Sequence, residues 1–236
     1  MKPIREVADG VWLVAGGRPL PTMNVYLLEE QGGGVTMFDA GVSSMTRQLR
    51  IECKKKGGLN RILLGHGHAD HRGAAPGLGA PVLCHADNVS DAEGDGGQAY
   101  MDLSKLPLYG RPAYRVLLRA WDGGPVKVSG TVEEGEEVCG FKVVLLSGHA
   151  PGQIALFREK DGVALTSDCF YTIDPLTGIR GKPRIPHAAF NEDQEATRGS
   201  IRKLAELDPA SAWPGHANPL TEDVKDELLR VAGERT

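Results

Sequence analysis

The sequence has no apolar run approaching the roughly 18 residues that a membrane-spanning helix requires. Residues 1–10 contain no apolar segment behind their positive charges, so we expect neither a membrane span nor a secretory signal. The net charge is -4, from 27 Lys and Arg against 31 Asp and Glu, and the basic stripe typical of nucleic-acid binding is missing. The four cysteines form no C-x-x-C pair, which argues against a zinc ribbon or a thioredoxin-like redox site. We therefore expect a cytoplasmic protein with reduced thiols that contacts neither nucleic acid nor membrane.

The composition is that of an ordinary globular protein, with 41% hydrophobic and 25% charged residues over 236 positions. Neither a tandem repeat nor a linker divides the chain, so we predict a single domain over residues 1–236. Gly and Pro clusters separate short apolar runs, which predicts strands at residues 11–14, 24–28, 35–38, 61–64, 81–84, 126–128, 141–146, 154–157 and 163–166. Helices are predicted at residues 43–56, 192–207 and 223–231. This order indicates two halves, each made of a sheet with covering helices.

Three of the seven histidines and one aspartate fall within six residues, in the sequence His66-Gly67-His68-Ala69-Asp70-His71. Neutral imidazole and carboxylate groups are the ligands that zinc and similar divalent ions prefer. The cluster follows the predicted strand that ends near Leu64, so its side chains extend from a loop on a rigid edge. His66 and His68 can point the same way while Asp70 and His71 turn away, which suits two neighbouring ions. The simpler alternative is a surface loop that binds metal adventitiously.

Further candidate ligands stand in similar settings downstream. Gly148-His149 and Gly215-His216 each follow an apolar strand. Asp168 lies at the end of the strand predicted at residues 163–166. A single histidine at a strand end is often structural. Together with the cluster, these residues make a coherent set of seven.

The chain carries the pattern H-x-H-x-D-H, followed at intervals by Gly-His, Asp and a second Gly-His. This pattern resembles that of the metallo-β-lactamase superfamily. The resemblance extends from Asp39-Ala40-Gly41 to Pro214-Gly215-His216. The resemblance implies an α+β fold, a four-layer αββα sandwich with metals between the sheet edges. It implies one ion held by His66, His68 and His149, and a second held by Asp70, His71 and His216. Asp168 would bridge two divalent ions, for which zinc is the first expectation and manganese, iron or cobalt also fit. Asp39 either orients a ligand histidine or simply forms a turn.

The same resemblance implies a hydrolase in which a hydroxide bound to both metals attacks a carbonyl. Tyr171, three residues after Asp168, is similar to a tyrosine of the N-acyl-homoserine lactonases whose phenol contacts the substrate, although it could instead pack a loop. Asp168 stands where the best-known antibiotic-degrading β-lactamases carry a cysteine. We therefore expect an ester- or lactone-opening enzyme, best a lactonase, with Asp70 and Tyr171 as catalytic residues. Its partner is a small-molecule substrate, and it acts as a monomer or homodimer.

The main alternative is a glyoxalase II-like thioesterase, for which the basic residues Arg180, Lys182 and Arg184 could hold an anionic substrate. A β-lactamase, a phosphodiesterase or nuclease, a non-hydrolytic di-iron protein and a binding module with a dead site are lower alternatives. His85 and His187 have no assigned role.

The chain from about residue 87 to residue 127 lengthens the gap between His71 and His149, which predicts a lid insertion. Asp87 to Gly97 is acidic and Gly-rich, which predicts a loop, and Leu103 to Trp121 predicts a loop and one short amphipathic helix with Pro107 and Pro112 as breakers. Four of its apolar residues either line a substrate pocket or only pack the lid: Tyr100, Leu106, Tyr109 and Tyr114.

Overall fold

The computed structural model describes residues 4–19 and 21–233, which contain two main sheets and a two-stranded ribbon. The first sheet has seven strands in chain order: β1 (Arg5–Ala8), β2 (Val11–Gly16), β3 (Met23–Glu29), β4 (Val35–Phe38), β5 (Leu59–Leu63), β6 (Val82–His85) and β7 (Val128–Val132). The strands from β1 to β4 pair antiparallel, and those from β4 to β7 pair parallel.

The second sheet has the order β14-β11-β10-β9-β8. Its strands are β8 (Glu137–Val138), β9 (Phe141–Leu145), β10 (Ile154–Arg158), β11 (Val163–Ser167) and β14 (Ser211–Pro214). β11 and β14 run parallel, whereas the other pairs are antiparallel. The ribbon pairs β12 (Tyr171–Ile173) with β13 (Arg180–Arg184).

The helices connect the strands and cover the outer faces of both sheets. They are α1 (Thr46–Lys55), α2 (Ala69–Arg72), α3 (Ala75–Leu78), α4 (Val89–Glu93), α5 (Gly110–Trp121), α6 (Gln194–Glu206) and α7 (Val224–Ala232), with 3₁₀ turns at Ser43–Met45, Ala86–Asn88 and Leu103–Lys105. Within the described part of the chain, we find no helix that is both long and apolar enough to cross a bilayer.

The buried apolar residues separate the molecule into four layers. Since neighbouring side chains of a strand face opposite ways, Val25 and Leu27 of β3 pack with α1 on one face of the first sheet, and Tyr26 and Leu28 pack against the second sheet on the other. A further cluster joins the second sheet to α6 and α7. The predicted α+β fold, a four-layer αββα sandwich, is confirmed.

Several predicted elements differ in their bounds. The strand predicted at residues 126–128 begins at Val128, and the predicted loop after Asp87 contains the short helix α4. Pro112 does not break α5, because it lies in the first turn, where backbone N–H groups have no partner within the helix. The ribbon strand β13 was not predicted, since its polar, mostly exposed sequence has no apolar alternation.

Candidate metal centre

The seven predicted ligands all lie beyond the ends of strands. His66 and His68 occupy the connection between β5 and α2, and Asp70 and His71 belong to α2 itself. Beyond the ends of β9, β11 and β14 come the other three: His149, Asp168 and His216. Because β4 and β5 are parallel, and β11 and β14 are parallel, their carboxyl ends share an edge of each sheet. The fold thereby brings segments distant in sequence to one place between the two sheets.

The side chains form two groups with Asp168 between them. One ligand atom from each of His66, His68 and His149 lies within 4.8 Å of the others. The same spacing holds for a group of Asp70, His71 and His216.

Asp168 contacts both groups. Its Oδ2 lies 3.6 Å from His149 Nε2 and 3.2 Å from His216 Nε2, and its Oδ1 lies 3.2 Å from His71 Nε2. All seven residues are therefore brought together by the structure in the predicted two-group arrangement.

A third close group consists of Asp39, His66 and His71. The Asp39 carboxylate already accepts three hydrogen bonds, from Gly65 N at 2.7 Å, Ser167 Oγ at 2.8 Å and His71 Nδ1 at 2.9 Å. Asp39 therefore orients the candidate ligand His71. A role in the turn alone would not account for these three hydrogen bonds.

Partners behind the rings fix which nitrogen of each histidine faces the centre. His71 Nδ1 donates to Asp39, and His149 Nδ1 lies 2.7 Å from Asn191 Oδ1. His66 Nδ1 lies 3.0 Å from Ser167 Oγ, whose own proton goes to Asp39, so the hydroxyl accepts from His66. In the neutral form of these three histidines the proton sits on Nδ1, which leaves the lone pair on Nε2.

Those inward nitrogens have no hydrogen-bond partner. His66 Nε2, His71 Nε2 and His149 Nε2 are buried and unpaired, and so is Asp168 Oδ1. A buried polar atom without a partner is costly. Unpaired imidazole nitrogens beside an unpaired carboxylate oxygen are the donor set that a divalent cation satisfies, so these residues fit a metal.

Burial and neighbouring charges set the protonation of the centre. Burial, reinforced by the neighbouring imidazoles, holds the pKa of His66 and His68 well below the usual value, and burial lowers that of His149. For His216, burial acts to lower the pKa, but Asp168 and Asp70 outweigh it and raise the pKa to about 9. Burial likewise acts to lower the pKa of His71, but Asp168 and Asp39 outweigh it and raise that pKa well above its usual value. The first group is therefore neutral and ready to bind, whereas His71 and His216 hold protons that a metal would displace.

The two carboxylates behave in the opposite way. Burial acts to raise their pKa values, but the neighbouring His216 and His71 outweigh it. The pKa of Asp70 falls to about 2, and that of Asp168 falls well below its usual value. Both are ionised at neutral pH.

The backbone around the centre is unusually tight. Asp39 and Ser167 adopt positive φ angles of 58° and 46°, which non-glycine residues rarely do. A Cβ on Gly65 would lie 2.5 Å from Ser167 Oγ, and one on Gly215 would lie 2.5 Å from Asp168 Oδ1. Glycine at these two positions permits the two sheets to approach each other at the site.

An apolar cleft, open to solvent, borders the candidate ligands. Helix α5 forms one wall with Tyr114, Leu117, Leu118 and Trp121. Asp70, Asp168, Tyr171 and His216 also line the cleft. Its lining, among the residues that the structure describes, includes no lysine or arginine. The cleft therefore suits an uncharged, apolar group held next to the imidazoles and carboxylates.

Of the predicted pocket residues, Tyr114 lines this cleft. Tyr171, predicted as a catalytic residue, donates its phenolic hydrogen to Asp168 Oδ2 at 2.9 Å. Tyr109 is 72% exposed. Leu106 is buried against Tyr114 and Phe190 and does not itself line the cleft. Tyr100 contacts His68 instead, with its Oη 2.7 Å from His68 Nε2.

The other candidate residues lie outside the two groups. His85 Nδ1 accepts from Asp87 N, and His187 Nδ1 accepts from Ala189 N. Arg180, Lys182 and Arg184 are exposed on β13. Sequence reasoning missed Ser167, Asn191 and the contact of Tyr100, and only Ser167 carried a signal, its position beside Asp168.

Comparison with known proteins gives a consistent result. A family model described as the Metallo-beta-lactamase superfamily matches residues 22–216. The chain is 27% identical over 258 residues to "Probable metallo-hydrolase YflN" of Bacillus subtilis (strain 168), covering 98% of this chain and 96% of that protein. The metallo-beta-lactamase family protein TTHA1429 from Thermus thermophilus shares the fold, with a TM-score of 0.69 and 24% identity over 97% of this chain and 80% of that one. TTHA1623, solved in a di-iron-bound form, has a TM-score of 0.63 and 28% identity over 91% of this chain and 96% of its own.

Proposed function

The chain belongs to the metallo-beta-lactamase superfamily, and we propose that this metallo-hydrolase opens an uncharged ester or lactone that carries an apolar acyl group. One observation carries the proposal: the apolar cleft ends at the cluster of imidazoles and carboxylates, so an acyl chain in the cleft places its carbonyl at the cluster. The relative YflN, named a probable metallo-hydrolase, supports the reaction class.

We propose that two divalent ions occupy the centre. His66, His68 and His149 would hold one, Asp70, His71 and His216 the other, and Asp168 would bridge them. The unpaired inward atoms support this assignment. Zinc is the first expectation because nitrogen and carboxylate ligands suit it, and manganese, iron or cobalt would accept the same donors. The di-iron form of TTHA1623 makes iron the leading alternative.

When bound, divalent ions supply a Lewis acid for a carbonyl oxygen and make water a nucleophile at neutral pH. The chain contributes charge and orientation. Asp70 is ionised and lines the cleft, so its carboxylate can accept a hydrogen bond from the attacking water. Because no serine or cysteine nucleophile is required, Cys169 has no place in the reaction, and burial raises the pKa of its thiol.

Tyr171 is proposed to hold a substrate oxygen. Burial, together with the nearby Asp168, raises the pKa of its phenol, so the hydroxyl remains protonated and acts as a donor. Its ring centroid lies 5.3 Å from that of His216 and 6.1 Å from that of His149, so it stands between the two groups. The phenol can therefore turn its hydrogen from Asp168 to a carbonyl or leaving oxygen. This position, together with the similarity to acyl-homoserine lactonases, favours a lactone.

Charge separates the lactonase from the thioesterase alternative. An anionic thioester such as S-lactoylglutathione needs cationic partners, and the described lining of the cleft offers none beyond its histidines. Arg184 is paired with Asp174 at 2.7 Å, and Arg180 is hydrogen-bonded to Asn218. The basic strand β13 is therefore a solvated edge.

A substrate panel tests the proposal. It contains acyl-homoserine lactones, simple γ- and δ-lactones, S-lactoylglutathione, nitrocefin and a phosphodiester. We expect the largest kcat/KM for lactones with longer apolar chains. A preference for S-lactoylglutathione, nitrocefin or the phosphodiester would overturn the substrate assignment. Elemental analysis of protein purified without added metal should find about two ions per chain, and a content below about half an ion would overturn the metal assignment.

We also propose that the protein acts in the cytoplasm on a small molecule, as a monomer or homodimer. Its four cysteines are free thiols, which persist in a reducing compartment.

A further inference from the structure

A chain of three side chains leads away from His68. His68 Nε2 lies 2.7 Å from Tyr100 Oη, and Tyr100 Oη donates to Asp91 Oδ2 at 2.8 Å. Asp91 belongs to α4 and is 7% exposed. The three residues therefore form a mostly buried path from the centre to the segment between β6 and β7.

The direction of the protons along this path follows from the phenol. A phenol has one hydrogen to donate, and that of Tyr100 goes to the carboxylate of Asp91. Its oxygen must therefore accept from His68 Nε2, so Nε2 carries the proton. Nδ1 is then the nitrogen of His68 with a free lone pair, the reverse of His66, His71 and His149.

From this geometry we propose that Tyr100 and Asp91 are positioning residues that set the tautomer and the orientation of His68. The inference rests on the proposed metal centre, and it gives the segment from about residue 87 to residue 127 a role in that centre. The other outer partners, Asp39, Ser167 and Asn191, come from elsewhere in the chain.

The surroundings hold the path in place. Gly97 has a φ of 75°, and a Cβ there would lie 2.5 Å from Tyr100 Oη and 2.7 Å from His68 Nε2. Arg72 Nη1 donates to the backbone oxygen of Asp91 at 2.7 Å. The ring of His68 lies edge-on to those of His66 and His149, with centroids 4.4 and 4.7 Å away. A change at Tyr100 therefore acts directly on the candidate ion position that contains His68.

The first test reads the tautomer directly. Long-range ¹H–¹⁵N correlation spectra of the zinc-loaded wild-type protein assign the proton of each ligand histidine. We expect His68 to carry its proton on Nε2, whereas His66, His71 and His149 carry theirs on Nδ1. A proton on Nδ1 of His68 would overturn the inference, and this measurement requires no variant to fold.

The second test measures metal affinity by competition with a chelator. Tyr100→Phe removes only the hydroxyl, and Tyr109→Phe is the matched control, because Tyr109 belongs to the same segment and is 72% exposed. Loss of an outer partner typically costs 10–100-fold in metal affinity. In Tyr100→Phe we expect a loss of that size in zinc affinity, through the position that contains His68, and in Tyr109→Phe no change. Asp91→Asn retains an acceptor for the phenol, so its loss should be smaller.

The outcomes separate this inference from the proposed function. If wild-type protein binds about two zinc ions and Tyr100→Phe holds both as tightly as Tyr109→Phe does, Tyr100 is not a positioning residue although the metal centre exists. A lower melting temperature of metal-free Tyr100→Phe with unchanged affinity would likewise overturn the positioning role. If wild-type protein binds no zinc, the proposed function itself fails.

Discussion

Arg72 is a fully buried arginine that joins the helix of Asp70 and His71 to both ends of the segment between β6 and β7. Its exposure is 1%. The two N–H groups of Nη1 are shared among the backbone oxygens of Asp91, Ala92 and Gly94, at 2.7, 2.8 and 3.0 Å, and Nη2 donates to Asp122 Oδ2 at 3.0 Å. Arg72→Met retains most of the volume and removes all four hydrogen bonds.

The loss of stability in Arg72→Met depends on which of the former acceptors are left without a hydrogen-bond donor. Hydrogen bonds that involve a charged group contribute about 1.5–3 kcal/mol each. Two of the carbonyls keep a second donor, however, because Gly96 N bonds Asp91 O and Val126 N bonds Ala92 O. The Asp122 side chain is 21% exposed and can be partly hydrated. We therefore expect a loss of about 3–5 kcal/mol in the free energy of unfolding, the range for breaking a buried ion pair.

The assay is denaturant unfolding of the metal-free protein, followed by circular dichroism and by tryptophan fluorescence. The control is Arg119→Met, at an exposed position of α5, which should change the free energy by less than about 0.5 kcal/mol. Arg72→Lys keeps the charge but lacks the planar fork, so it should recover only part of the loss. If Arg72→Met and Arg119→Met unfold at the same denaturant concentration, the reasoning about this arginine is refuted.

Three further predictions concern the centre and the cleft. The pKa of His216 is raised to about 9, so its proton must leave before a metal binds. Metal affinity, measured by competition with a chelator, should therefore increase as the pH rises toward about 9. An affinity that stays constant over that pH range would contradict this prediction. Asp70→Ala should lower turnover by about 10²–10⁴-fold without unfolding the protein, as measured by kcat and circular dichroism, and equal activity would refute its role. Leu117→Ala should lower kcat/KM for a long-chain lactone by up to about tenfold and leave that for a short-chain lactone unchanged, since each buried CH₂ contributes about 0.8 kcal/mol. The control is Val116→Ala, on the exposed face of the same helix. Equal effects of the two changes would argue against an acyl site along α5.

The sequence predicted the layers and the candidate ligands because both leave local signals. A histidine after a strand and a glycine is visible in the chain. The order of the predicted strands and helices indicates two halves, each a sheet with covering helices, and the resemblance carried by the ligand pattern implies the four layers. The outer partners leave no such signal. Asn191 lies 42 residues from His149 and Tyr100 lies 32 residues from His68, and either residue type is ordinary in a loop. Which polar side chain stands behind which imidazole depends on tertiary packing.

The predicted elements differ from the structure where strand pairing, or the position of a residue within a helix, matters more than local composition. The polar strand β13 exists because it pairs with the buried β12. Pro112 is tolerated because the helix begins two residues before it. The apolar character of α5 was visible, whereas the side that it turns toward the cleft depends on its docking against Phe190 and the loop at Pro175.

The carboxylate of Asp39 serves both halves of the centre at once. It holds His71 directly and holds His66 through the hydroxyl of Ser167. A cation bound by His71 would fix the orientation of this imidazole and therefore of the Asp39 carboxylate that contacts it. Through Ser167, the ordered carboxylate would also fix the orientation of His66, a ligand of the other position. Loading of the two positions should therefore be cooperative, with molecules carrying a single ion scarce at partial saturation.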